Sequence, residues 1–145
     1  MSKTVNEIQE EIISEFGIFD DWLDKYNYLI ELNRDLPILD PKYKTDEYLI
    51  NGCQSKVWLH ADLEGDKIVF RADSDAIITK GIVSLLIRVL SNRYPSEIVD
   101  ADLFFIDRIG LRENLSPTRS NGLLSMVRQM KLYALAYKTK LEDKQ

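Results

Sequence analysis

The sequence predicts an α+β domain: a small antiparallel sheet packed against helices in two layers. Residues 57 to 72 alternate apolar and polar about a Glu64-Gly65-Asp66 turn, which is the signature of a hairpin with one face on a core. The segments on either side repeat apolar residues at helical spacing. The order is helix, helix, sheet, then helices, and runs of one element type followed by runs of the other define this class. The length of 145 residues suits one compact domain, taken as 1–145. No internal repeat, low-complexity stretch or long linker divides it.

Thr4 to Phe16 reads as the first helix. Thr4 and Glu7 fit a capping box, Val5, Ile8, Ile12 and Phe16 share a face, and Gly17 stops it. Asp20 or Asp21 starts a second helix that runs to about Asn33, with Trp22, Tyr26, Leu29 and Ile30 as its buried stripe and Glu31 and Arg34 in water. Pro37 and Pro41 break the periodicity, so Leu36 to Glu47 is expected to be irregular and surface-lying. Tyr48-Leu49-Ile50 reads as a short strand entering the Asn51-Gly52-Cys53 loop. In the hairpin Val57, Leu59, Ala61 and Leu63 point inward, and Lys56, Trp58, His60 and Asp62 point outward. Ser74 or Asp75 is expected to cap a helix carrying Ile78, Ile82, Leu85, Leu86 and Val89 as far as Asn92. Pro95 to Gly110 holds one or two short helices. Ser116-Pro117 opens the last long helix, with Leu123, Val127, Met130, Ala134 and Tyr137 inward and Lys138 and Lys140 at its negative end.

Composition excludes several classes. The formal charge of −5 argues against general nucleic-acid binding, which needs a basic footprint. No apolar run reaches the roughly 20 residues of a membrane helix. Met1-Ser2-Lys3-Thr4 leads into charged residues, not an apolar signal core, so the expectation is a cytoplasmic, unprocessed protein. A single cysteine excludes an internal disulfide and a Cys-x-x-Cys pair. With a single histidine beside it, no four-ligand zinc site or Cys-rich cluster site can form within one chain, so no metal and no cofactor is expected.

Cys53 is the leading candidate for chemistry. It follows a turn-forming Asn-Gly pair and precedes a strand, a setting that lets a thiol reach another protein. Nearby Lys56 would favour the thiolate. A lone cysteine is otherwise a small buried hydrophobe, and the residues alone leave the two readings balanced. Arg119, in the first turn of the last helix, is either solvated surface or a guanidinium aimed at the site. Gly122, in the same helix, marks a close backbone approach, expected to be that of the Cys53 loop. Asp75 reads as a helix cap, and Trp58 as half-buried sheet packing. His60 is an ordinary sheet histidine or a general base, too far along the strand to touch Cys53 directly.

Gly52-Cys53-Gln54-Ser55-Lys56-Val57-Trp58 resembles the Gly-Cys-Gln-Ser-x-Val-Trp motif of the SufE family. Asp73-Ser74-Asp75-Ala76 with Lys80-Gly81 resembles a second family block, and Leu115 to Leu123 a third, Pro-x-Arg-Ser-x-Gly-Leu. The blocks come in family order around the sole cysteine, and the resemblance spans roughly residues 15 to 138. Lys56 stands where Gln is frequent and Thr118 where Ser is frequent, and neither removes a group the chemistry needs.

The resemblance implies a fold shared with iron–sulfur scaffolds of the IscU/NifU type. It implies that Cys53 accepts persulfide sulfur from a pyridoxal-phosphate (PLP) dependent cysteine desulfurase of the SufS kind, stimulates that enzyme, and relays the sulfur to an iron–sulfur scaffold or another acceptor. Gly52, Gln54, Ser55, Asp75 and Arg119 are then loop and support residues, with Asp75 beside the cysteine loop controlling its exposure. The chain is expected to be a transfer protein, not an independent enzyme, with a homodimer as its oligomeric state. Because a naked persulfide is open to oxidation, Cys53 is expected to be turned partly inward at rest, with the loop hinging at Gly52 when a partner docks. Two alternatives stay open: a binding module that activates the desulfurase without carrying sulfur, and a thiol peroxidase or sensor lacking a resolving cysteine.

Overall fold

The computed structural model describes residues 3–143. Met1 and Ser2, where the reading of the N-terminus begins, and Lys144 and Gln145 lie outside them. Helix α1 spans Val5–Phe16. Its capping box is complete: Thr4 Oγ1 accepts the Glu7 amide at 3.1 Å, and Glu7 accepts the Thr4 amide at 3.2 Å. Gly17 is its C-cap. The buried Gln9 accepts from the Phe105 amide at 3.1 Å and donates to Asp102 O at 3.0 Å, tying α1 to the distant chain. Helix α2 spans Trp22–Glu31, capped by Asp21, and tightens into a 3₁₀ turn over Leu32–Asp35. Of its expected stripe only Leu29 is buried; Trp22, Tyr26 and Ile30 are half-buried.

Strands β1 (Val57–Glu64) and β2 (Lys67–Ser74) pair antiparallel, from Val57 opposite Ser74 to Glu64 opposite Lys67. Val57, Leu59 and Ala61 bury one face together with Ile68, Phe70 and Ala72, as the alternation predicts. Helix α3 (Ile77–Leu90) lies against β2 and α2, and the long helix α7 (Pro117–Asp143) closes the far side. Leu59, Ala72, Val83, Leu86 and Met130 meet at this junction. On α7 Leu123, Met130 and Ala134 are buried as expected; Met126 is buried as well, whereas Val127 and Tyr137 are half-buried. Between α3 and α7 lie α4 (Pro95–Asp100) and α5 (Phe105–Arg108), two short helices within Pro95 to Gly110 as expected, and α6 (Leu111–Asn114), which follows that range. At the α2–α3 crossing a Cβ on Gly81 would sit 2.2 Å from Leu29 O, so only glycine lets the helices approach this closely. No helix among the described residues is long and apolar enough to cross a membrane.

Three local expectations are corrected. Tyr48 closes a 3₁₀ turn over Asp46–Tyr48, so Tyr48-Leu49-Ile50 is not a strand. Leu49 forms a single bridge to Trp58, and Ile50 N–H donates to Val57 O at 2.9 Å before the chain turns again at Asn51. The 36–47 stretch is irregular but not wholly on the surface, because Leu36 and Leu39 drop into the core as anchors between exposed neighbours. Neither Ser74 nor Asp75 caps α3. Strand β2 runs on through Ser74, and Ala76 takes the cap position with no side-chain bond.

Candidate functional site

The Cys53 loop is fastened at both ends. At its start Gly52 has φ +92°, in the left-handed region, and a Cβ there would lie 2.4 Å from Ser125 Oγ on α7. Backbone conformation and close approach both demand glycine, and together they dock the loop on α7. At its end the Lys56 backbone is held from two sides. Its N–H donates to Asp75 Oδ1 at 3.0 Å, and its carbonyl accepts from Ser74 Oγ at 2.8 Å and from the Asp75 N–H at 3.2 Å. Asp75 therefore stitches the base of the cysteine loop to the end of the hairpin. Beside it Asp73 pairs with Lys44 at 2.7 Å and Lys80 at 3.2 Å. Burial works to raise the Asp73 carboxyl, but Lys44, the Ser74 N–H and Lys80 outweigh it and hold it below the usual range.

Cys53 itself is half-buried. Its Sγ lies 3.5 Å from Gly122 O, where a thiol donates a weak hydrogen bond. A Cβ on Gly122 would touch Sγ at 3.5 Å, so this glycine is the close approach expected from the sequence. Helix α7 is started there by Ser116, whose Oγ accepts the Arg119 amide at 3.3 Å. Cys53 borders a cavity of about 70 Å³, several times the space one water needs. Gln54, Ser55 and Arg119 line it with Cys53, as do Thr79 and Ile82 from α3 and Thr118, Gly122 and Met126 from α7. Gly52 and Asp75 position the loop without lining the cavity. Burial pushes the Cys53 thiol above its ordinary pKa. The expectation that Lys56 favours the thiolate is thereby corrected: the Lys56 backbone is engaged, its side chain is exposed, and desolvation of the sulfur governs.

Arg119 is exposed on the wall of this cavity. His60 lies apart, on the outer sheet face, stacked on Tyr43 with ring centroids 3.8 Å apart. Burial pushes its pKa down, and its ring meets Tyr48 edge-on. Trp58 is half-buried on the same face. Sequence reasoning missed Thr79, Ile82, Ser125 and Met126. Thr79 carried a signal, as a polar residue one turn before Ile82 on an otherwise apolar helix face. Ser125 carried none, since its role is visible only once Gly52 lies against it.

Comparison with known proteins accords with this geometry. Residues 10–134 match the SufE family model, described as an Fe–S metabolism associated domain. An uncharacterized SufE-like protein of Rhizobium etli is 43% identical over 84% of this chain and 86% of its own length. A second, from Rhizobium meliloti, is 41% identical over 84% and 91%. The Arabidopsis thaliana protein named SufE-like protein 1, chloroplastic/mitochondrial, is 37% identical over 92% of this chain, which spans only 36% of that protein. The solution structure of a hypothetical protein from Thermus thermophilus superposes with a TM-score of 0.75 over 91% of this chain and 96% of its own, at 22% identity, and so shares the fold. On the strength of the family match and these relatives, the chain belongs to the SufE family, whose domain is associated with Fe–S metabolism.

Proposed function

We propose that Cys53 takes the outer sulfur of a cysteine persulfide held by a PLP-dependent cysteine desulfurase, stimulates that enzyme by removing its product, and passes the sulfur on toward iron–sulfur cluster assembly. The observation that carries this is a half-buried thiol on a loop that starts at the left-handed Gly52, beside a cavity with room for a further sulfur atom. The loop offers the thiol to a partner when it lifts and shelters it when it closes.

The exchange is a displacement at sulfur. Cys53 loses its proton and its thiolate attacks the outer sulfur of the donor persulfide. The donor's S–S bond breaks, the donor cysteine leaves as thiolate, and Cys53 retains the sulfur as a new persulfide. Nothing is oxidised or reduced overall. Because burial holds the resting thiol protonated, the loop must leave its cavity, or the partner's site must accept the proton, before attack. A downstream scaffold thiol repeats the step on Cys53. A reducing compartment suits the free thiol, and the cytoplasm is our assignment.

The test is intact mass after incubation with a cysteine desulfurase and cysteine. A gain of one or more sulfur atoms, absent in Cys53→Ser, is expected. Persulfidated desulfurase beside an unmodified chain would refute the carrier role. Full stimulation by Cys53→Ser would instead support activation by binding alone.

A further inference from the structure

Resting on that reading, we propose that Thr79 is a positioning residue: its hydroxyl donates a hydrogen bond to the terminal sulfur of the Cys53 persulfide and keeps it inside the cavity. Thr79 is only 7% exposed, among the more buried polar side chains of the described residues. Thr79 lines the Cys53 cavity from α3. It stands in the first turn of α3, whose start has no side-chain cap, so the positive end of that helix also lies beside the cavity.

The chemistry of loading calls for such a donor. At rest the cavity wall faces a neutral thiol whose own proton goes to Gly122 O. Once Cys53 carries a second sulfur, its Sγ has no proton left and that bond is gone. The terminal sulfur is a stronger acid than the thiol and carries negative charge, which a half-buried cavity tolerates only with donors at hand. Of the lining side chains, Ile82 and Met126 cannot donate, Gln54, Thr118 and Arg119 are exposed, and Ser55 is only half-buried. Thr79 is the lining donor most withdrawn from water, so its hydrogen bond is the least weakened by solvent.

The experiment compares wild type with Thr79→Val, Thr79→Ala and Thr79→Ser, each confirmed folded by circular dichroism and loaded with desulfurase and cysteine. Loss of the outer sulfur to cyanide is timed by intact mass, and absorbance of the persulfide anion is followed against pH. Thr79→Val and Thr79→Ala should lose sulfur about two- to tenfold faster, and their persulfide should titrate at higher pH, as expected for removing one hydrogen bond to a charged group. Thr79→Ser should restore both, which packing alone would not do. If wild type loads and the Val and Ala variants match it within twofold, the proposal falls and the carrier reading survives. If wild type takes up no sulfur, the carrier reading falls and the proposal with it.

Discussion

Replacing Gly52 with alanine tests how the cysteine loop is held. Alanine at φ +92° costs about 1–2 kcal/mol of backbone strain. Its Cβ would also stand 2.4 Å from Ser125 Oγ and 3.3 Å from Ser125 Cβ, an overlap worth about 1–3 kcal/mol if nothing moves. The hydroxyl can rotate and the loop can lift, so the sum is an upper limit. Lifting is the easier escape, since from Asn51 to Lys56 only Cys53 and Ser55 are even half-buried. We expect Gly52→Ala to lower stability in urea by about 1–2 kcal/mol and to speed alkylation of Cys53 roughly tenfold. Adding Ser125→Ala removes the nearest atom but not the strain, so it should recover part of each effect. A Gly52→Ala protein within about 0.5 kcal/mol of wild type, with unchanged alkylation, would refute the docked-loop geometry.

Further outcomes follow from neighbouring contacts. Asp75→Ala removes the acceptor of the Lys56 amide; being exposed, it should cost under about 1 kcal/mol in global stability, while Cys53 alkylation rises a few-fold. Unchanged alkylation would mean that Asp75 does not restrain the loop. Because burial raises the Cys53 pKa, the folded state keeps its thiol proton to higher pH than the unfolded chain. That contribution is fully present below the unfolded thiol's pKa and is lost as pH rises through the folded value, so stability should fall over the alkaline range above about pH 8.5, the ordinary thiol value, more steeply in wild type than in Cys53→Ser. Parallel urea midpoints across that range would count against it. Gly81→Ala places a Cβ 2.2 Å from Leu29 O and 2.8 Å from Leu29 C, atoms of a packed backbone that cannot swing aside. A loss of about 3 kcal/mol or more is expected by chemical denaturation, and a wild-type midpoint would mean the helix crossing is looser than described.

Where local rules governed, the sequence was sufficient. The capping box of Thr4 and Glu7, the stop at Gly17, the period-two hairpin and the Ser116 start of α7 each depend on residues a few positions apart, and all are present. Cys53 stood out as the candidate site through its turn setting and the family motifs around it. Local rules failed where distant chain competed for the same groups. Asp75 looked like a cap because its neighbours downstream form a helix, yet its carboxylate is taken by the Lys56 amide across the hairpin. Lys56 looked like an activator of the thiol from its proximity in sequence, but burial beneath α3 and α7 raises the pKa instead.

The sequence by itself determined the α+β class, the candidate cysteine and the two glycines that flank its environment, because periodicity, turn preference and a single cysteine are properties of short segments. The tertiary structure alone decided that Gly52 rests on Ser125, that Gly122 faces the sulfur, and that Thr79 from one helix and Arg119 from another share a cavity with Cys53. Those relations join residues far apart in the chain, and only the packing of the loop between α3 and α7 brings them together around one cavity.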